Sequence, residues 1–379
     1  MVVEFDPTAL SRPPKPPGPW PPSPRVFAIA LMVFGVVVMI ALAVWIALHP
    51  RLPSLPTQWS ATLRAGIEAD PILEGNLLIV ASMDGTLWAF DPMTGERRYR
   101  RAPAVRGIAG GLTAHDGLVY FGSDDHYVYA VEAATGETVA SAATNGPVRT
   151  KPVIIGDTVY VGSDDGYLWS FRVATLEPAG EPWNARSPIA ATPIAYEDTL
   201  VFSPIRGNVY FLDTTTGKYR YARVPGPVLS SPAVTLAGNV WIGNDRGDVF
   251  VIEAETLAVE HVTTLDQPVR GSIYERRGSV YVGANDGFLH IFRASPPAPL
   301  GLVAGGGSVR AQPTYDAGVL HWVSDNGVLH ASKPSGEPLS RTVIGSARIS
   351  ARPVAGPSSM LYVCDTAGEV RALRTSTAE

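Results

Sequence analysis

Apolar residues fall along this chain in pairs of short runs rather than in helical stripes. The first run of each pair is LLIVA, VYFG, VYVG, LVFS, VWIG, VYVG, LHWV or LYVC, and the second is TLWAF, YVYAV, YLWSF, NVYFL, DVFVI, FLHIF, VLHAS or EVRAL. Between them stand Gly85, His126, Gly166, Gly207, Gly247, Gly287, Gly327 and Gly368, at intervals of 41, 40, 41, 40, 40, 40 and 41 residues. Strand-like runs at one fixed period predict a repeat array of eight units, each a small sheet. D-G and N-G turns join the two runs, and turns such as PMTGE, AATGE and PSGE follow the second.

Each unit reads as four strands. The innermost is expected to begin at Ile67, Ile108, Val148, Ile189, Val228, Val269, Val309 and Ile349, with small residues two places on (Ala69, Gly110, Thr150, Ala191, Ser230, Gly271, Ala311, Ala351). Six units carry proline two further on, which an inner edge strand tolerates because it has no neighbour on its axial side. The outermost strand is the least regular. The eighth unit ends after its third strand, while Thr57–Leu63 precedes the first inner strand where an outer strand belongs. The expectation is an all-β, eight-bladed β-propeller over 57–375, with its N-terminal strand closing the last blade and removing two free edges.

Ahead of the repeats, residues 1–25 include SRPPKPPGPWPPSP, an extended proline-rich tail without a core. Val26–Leu48 holds 23 residues without a charge, enough to span a bilayer at about 1.5 Å per residue. Its apolar stretch is longer than the roughly 7–15 residues of a cleaved signal. Arg12, Lys15 and Arg25 precede it, so the expectation is a signal anchor in the inner membrane, N-terminus cytoplasmic and propeller periplasmic or extracellular. A linker, 49–56, follows, and residues 376–379 form a short C-terminal tail.

The phrase DGTLWAFDPMTGE, echoed in DGYLWSFRVATLE and GNVYFLDTTTGK, resembles the pyrroloquinoline-quinone (PQQ-like) repeat, D-G-x-L-Y-A-L-D-x-x-T-G. One group with that repeat, the quinoprotein dehydrogenases, implies a quinone, a calcium ion, a catalytic Asp and a disulfide between adjacent cysteines. This chain has a single cysteine, Cys364, at a position where other units place a small strand-ending residue. The other group, resembling BamB-type outer-membrane assembly scaffolds, implies a non-enzymatic ring that binds partner proteins and needs no cofactor. The expected function is therefore a membrane-anchored scaffold or accessory subunit of a membrane complex. A quinoprotein oxidoreductase and a small-anion sensor are the alternatives.

The net charge of −5 argues against a nucleic-acid partner. Aspartates crowd the turns (Asp84, Asp124, Asp125, Asp164, Asp165, Asp245, Asp286, Asp325, Asp365) and read as turn caps on one face, since none has the further oxygens a calcium loop requires. On the opposite mouth a basic collar of Arg149, Lys151, Arg270, Arg310 and Arg352 is expected around the central opening, able to hold a carboxylate, a phosphate or an acidic peptide. Glu68 and Asp70 are the acidic residues in reach of it. Arg97–Arg106 (RRYRRAPAVR) forms a basic patch on the outer strand of the first blade, suited to anionic lipid. His290 and His330 occupy equivalent strand positions with no third ligand, so no zinc site is expected.

Overall fold

Two apolar runs joined by a residue of left-handed backbone fold back on each other as an antiparallel hairpin. Gly85, Gly166, Gly207, Gly247, Gly287, Gly327 and Gly368 all adopt φ between +78° and +90°, and His126 takes the same conformation at +74°. A side chain at Gly85 would have its Cβ 2.3 Å from the Ala104 carbonyl oxygen, so the repeat keeps glycine there for space as well as for φ.

The computed structural model describes residues 52–375. They form eight four-stranded antiparallel sheets. Blades 1 to 4, from inner to outer strand, are Ile72–Glu74, Leu77–Ala81, Leu87–Phe90 and Arg97–Arg101; Thr113–His115, Leu118–Gly122, Tyr127–Glu132 and Thr138–Ala143; Val153–Ile155, Thr158–Gly162, Tyr167–Arg172 and Trp183–Asn184; and Ile194–Tyr196, Thr199–Phe202, Asn208–Asp213 and Tyr219–Arg223. Blades 5 to 7 are Ala233–Val234, Val240–Gly243, Asp248–Ile252 and Val259–Thr264; Tyr274–Arg276, Ser279–Gly283, Phe288–Ala294 and Pro297–Ala304; and Thr314–Asp316, Val319–Ser324, Val328–Ser332 and Pro338–Val343. Blade 8 takes Val354–Gly356, Met360–Cys364 and Glu369–Arg374 from the C-terminal end, and its outer strand is Thr57–Thr62, with Trp59 opposite Ala372 and Thr62 opposite Glu369. The eight-bladed, all-β propeller closed by its N-terminal strand is thus what the structure contains.

The inner strands begin five residues later than the sequence suggests. Ile67, Ile108, Val148, Ile189, Val228, Val269, Val309 and Ile349 are not in strands; they sit, all but fully buried, in the connections between blades. Their β-branched side chains look strand-like, but their backbone groups serve other partners. The Ile108 N–H donates to the Ser82 carbonyl of blade 1, while the Gly107 carbonyl accepts from Asp124 N–H of blade 2, at 3.4 and 2.9 Å. The same stitch recurs around the ring, including Ile67 N–H to Asp365 and Met83 N–H to Gly66 across the closure. The prolines fall immediately before the inner strands, where a missing N–H breaks no ladder bond.

The stitch residue also explains the small residue that ends the second strand of each blade. A Cβ at Gly122, Gly162 or Gly243 would lie 2.2–2.4 Å from the side chain of Val148, Ile189 or Val269. In blade 8 this place is taken by Cys364, fully buried in one cluster with Ile67. The thiol is free, and burial pushes its pKa well above the ordinary value. Apolar clusters lie between successive blades, such as Ile79, Val119 and Phe121 between blades 1 and 2, and Val323, Leu329 and Leu361 between blades 7 and 8.

The proline-rich tail over 1–25, the expected membrane helix Val26–Leu48, linker residues 49–51 and the tail 376–379 lie outside the described residues. Among the described residues no helix is long and apolar enough to cross a membrane. The second half of the 49–56 linker packs on the propeller, whose compact unit begins at Leu52. The Arg341 N–H donates to the Pro53 carbonyl, the Leu55 N–H to Thr342 Oγ1 and the Arg374 N–H to the Pro56 carbonyl, at 3.0, 2.8 and 3.0 Å.

Candidate functional site at the central opening

The turn between the second and third strands of a blade presents two polar positions with different tasks. The residue just before the turn glycine closes the turn on itself: Asp84 Oδ1 accepts from Thr86 N–H, Asp165 Oδ1 from Tyr167 N–H and Asp286 Oδ1 from Phe288 N–H, at 3.2, 2.8 and 3.0 Å. His126 stands in the glycine's place in blade 2, and there Asp125 Oδ1 accepts from Tyr127 N–H at 3.1 Å. The second carboxylate oxygen takes the polar atom of the aromatic residue four places on, as in Asp165 with Trp169 Nε1 and Asp125 with the Tyr129 hydroxyl, both at 2.9 Å. His290 belongs to this pattern, with Nε2 2.7 Å from Asp286 Oδ2. His330, its equivalent in blade 7, stacks on Trp322 at 4.1 Å and bonds Ser324 Oγ at 3.0 Å.

The residue one place earlier faces the opening, and there it meets the arginines. Arg149 Nε donates to Asp124 at 2.8 Å and its Nη1 to Asp164 at 3.0 Å, so one guanidinium bridges the turns of the two blades it connects. Arg310 repeats this with Asn285 at 3.2 Å and Asp325 at 3.4 Å. Arg270 holds Asp245 with two bonds, Nη2 to Oδ2 at 3.0 Å. These bonds raise the pKa of Arg149 and Arg270, with Asp124 and Asp245 respectively the first cause. The acidic turns and these arginines therefore share one mouth, not opposite faces. The connection is not a regular strand, so alternation along it does not set its sides. Asp164 and Asp325 nevertheless have raised pKa values, because burial outweighs the nearby arginines.

Lys151 and Arg352, two residues further along their connections, lie deeper. Glu68, Asp70, Arg149, Lys151, Gln312 and Ser350 are among the residues lining a cavity of about 230 Å³ here. Asp70 Oδ1 accepts from the Arg352 N–H at 2.7 Å, and Arg352 Nη1 donates to Gln312 Oε1 at 3.2 Å. Glu68 pairs with Arg348 at 3.1 Å. Among the described residues Arg352 Nε and Ser350 Oγ have no partner. Burial, with Arg352 adding to it, lowers the Lys151 pKa against the opposing pull of Asp70. The five collar residues thus divide: Arg149, Arg270 and Arg310 tie turns to one another, Arg149 and Lys151 line the cavity, and Arg352 is held beside it by Asp70 and Gln312.

A quinone–calcium centre does not fit these residues. Cys364 is a lone thiol at the end of a buried strand, and the rim carboxylates Asp124, Asp164 and Asp245 are already engaged by arginine. Among the described residues no group of three or more His, Cys, Asp or Glu is placed to hold a metal ion.

One group of residues the sequence did not single out is aromatic. Trp183, on the two-residue outer strand of blade 3, packs edge-on against Tyr210 and Tyr219 of blade 4 at 4.6 and 5.2 Å. Tyr219 and Tyr221 remain 51% and 54% exposed. The run YRY, two aromatic residues two places apart on one outer strand, is the signal that could have found it.

Residues 57–105 and 100–224 match the family model described as outer membrane protein assembly factor BamB. Among curated proteins none matches the chain in sequence. In fold it is similar to BamB from Moraxella catarrhalis, at 17% identity and a TM-score of 0.70, over 86% of this chain and 99% of that one. The computationally designed protein Ika8 is similar at 16% identity and 0.71, over 86% and 99%. Sqt1 from Saccharomyces cerevisiae is similar at 13% and 0.75, over 85% and 100%. With the eight closed blades and these likenesses taken together, this chain is an eight-bladed β-propeller whose residues 57–224 are similar to the PQQ-like repeats of that family model.

Proposed function

We propose that this protein is a non-enzymatic scaffold, anchored in the inner membrane by Val26–Leu48, whose propeller binds partner proteins outside the cytoplasm as an assembly or accessory subunit. The observation that carries the reading is the exposed aromatic surface of Tyr219 and Tyr221 beside Trp183, on a rigid sheet edge. Tyrosine and tryptophan dominate the buried centres of protein interfaces and give up little conformational freedom on binding. The match of residues 57–224 to the model of an assembly factor supports the same reading. The test is cross-linking in intact cells followed by purification of the full chain from membranes. A defined partner should be recovered with the native chain and lost with Tyr219→Ala/Tyr221→Ala. Recovery unchanged by that pair, or no cross-linked partner at all, sinks the proposal.

A second reading, a small carboxylate ligand at the hub, is favoured by Arg352 Nε and Ser350 Oγ, which have no partner among the described residues and stand near Lys151. It predicts that Lys151→Gln/Arg352→Gln abolishes binding of a small-molecule carboxylate while leaving partner recovery intact.

A further inference from the structure

The basic run of blade 1 is not an evenly solvated strand. Arg97–Arg101 pairs with Leu87–Phe90 through a bulge: Arg100 lies opposite Trp88, Tyr99 opposite Ala89, and Arg97 opposite Phe90. The extra residue, Arg98, is carried away to Asp91 at 2.7 Å and Glu96 at 3.4 Å. The bulge brings Arg97 and Arg100 onto the Trp88 face, their guanidinium carbons 5.8 and 5.1 Å from the centre of its ring. Arg64, in the connection that leaves the closing strand, joins them. Arg64, Trp88 and Arg97–Arg100 line a cavity of about 530 Å³ at the seam between blades 8 and 1.

Three features point to a ligand here. Arg64, Arg97 and Arg100 have no carboxylate within 4.0 Å among the described residues, whereas Arg149, Arg270 and Arg310 each have at least one. Two like charges over one indole ring repel each other unless an anion lies between them. Trp88 itself is only 7% exposed, so its ring is held as a fixed floor under the two guanidinium groups. Guanidinium forks match the oxygens of a phosphate group, and three unpaired positive charges suit a dianion better than a single carboxylate.

We propose that the Arg64–Trp88–Arg97–Arg100 cleft binds a phosphate monoester or inorganic phosphate. Trp88 forms the floor and the three arginines supply the charge. This does not depend on the scaffold reading. The full chain in a neutral detergent is titrated calorimetrically with inorganic phosphate and, separately, with dihexanoyl phosphatidic acid. Arg97→Gln/Arg100→Gln should weaken binding by about tenfold or more, the loss expected for charge-assisted bonds. Arg64→Gln, placed in a connection rather than a strand, should act in the same direction, and Arg223→Gln on blade 4 should change nothing. Equal affinity for both probes assigns the site to a free phosphate group, and clearly tighter binding of the lipid assigns it to a membrane headgroup. Binding of neither probe, or binding that survives both arginine variants, overturns the proposal.

Discussion

At the scale of single residues, two buried histidines couple this fold to pH. His321 is 2% and His330 7% exposed, and burial is the first cause that drives both pKa values down to about 4. In the unfolded chain each takes up a proton near pH 6.5. Between those values the unfolded state holds more protons than the folded one, so the stabilising contribution is complete above about pH 6.5 and drains away as pH falls toward about 4. The slope approaches about 1.4 kcal/mol per pH unit for each histidine. We expect melting temperature to drop between about pH 7 and pH 5, and His321→Phe to make that drop shallower. A pH profile unchanged by the substitution would contradict the assignment. At the same scale the turn glycines were legible in the sequence, because left-handed φ restricts residue choice strongly. The partners of the collar arginines were missed, although Arg149–Asp124, Arg270–Asp245 and Arg310–Asn285 share one separation of 25 residues. A constant offset inside a repeat is the mark of a contact repeated from blade to blade.

At the scale of elements, the connections do more than join. Apolar β-branched residues announced strands at Ile67 and its equivalents, yet these segments have neighbours only at turns and so never enter a ladder. Hydrophobicity recorded their burial and said nothing of hydrogen-bond partners. The strap Pro53–Pro56 was likewise read as a spacer because proline spacing signals stiffness, not docking. In the structure Leu55 is buried in the cluster of blades 7 and 8 with Val323, Leu329 and Leu361. Leu55→Ala should therefore lower stability by about 2 kcal/mol, at the mild end of such truncations. Thr342→Ala, which removes the acceptor of the Leu55 N–H, should cost about 1 kcal/mol. Denaturant midpoints measure both, and midpoints equal to the native one would mean the strap is not held.

At the scale of the molecule, several blades are locked to the next by an aromatic reach. The Tyr99 hydroxyl of blade 1 donates to the Ala133 carbonyl in the outer turn of blade 2, and Tyr281 of blade 6 donates to Pro334 in blade 7, at 3.0 and 3.1 Å. At the closure Trp59 Nε1 and the Tyr362 hydroxyl both donate to the Pro92 carbonyl of blade 1, each at 2.9 Å. Trp59 also lies 6.0 Å from both Phe90 and Tyr362. Trp59→Ala should destabilise the ring by about 3 kcal/mol, and amide exchange should accelerate first in Glu369–Arg374. Uniform acceleration around all eight blades would show instead that the seam is no weaker than the other interfaces. The closing strand was legible because a count of strands left the eighth unit one short.

That arrangement also orders the birth of the fold. Thr57–Thr62 is made before any blade exists, yet its ladder partner Glu369–Arg374 is made only after the other seven blades. Until that strand emerges, the ring is an open arc whose leading strand has an unsatisfied edge and whose final interface is missing. A loop of this length closes slowly, and an unpaired edge invites strangers. The emergence of Glu369–Arg374, rather than the appearance of any earlier blade, is the event that closes the ring.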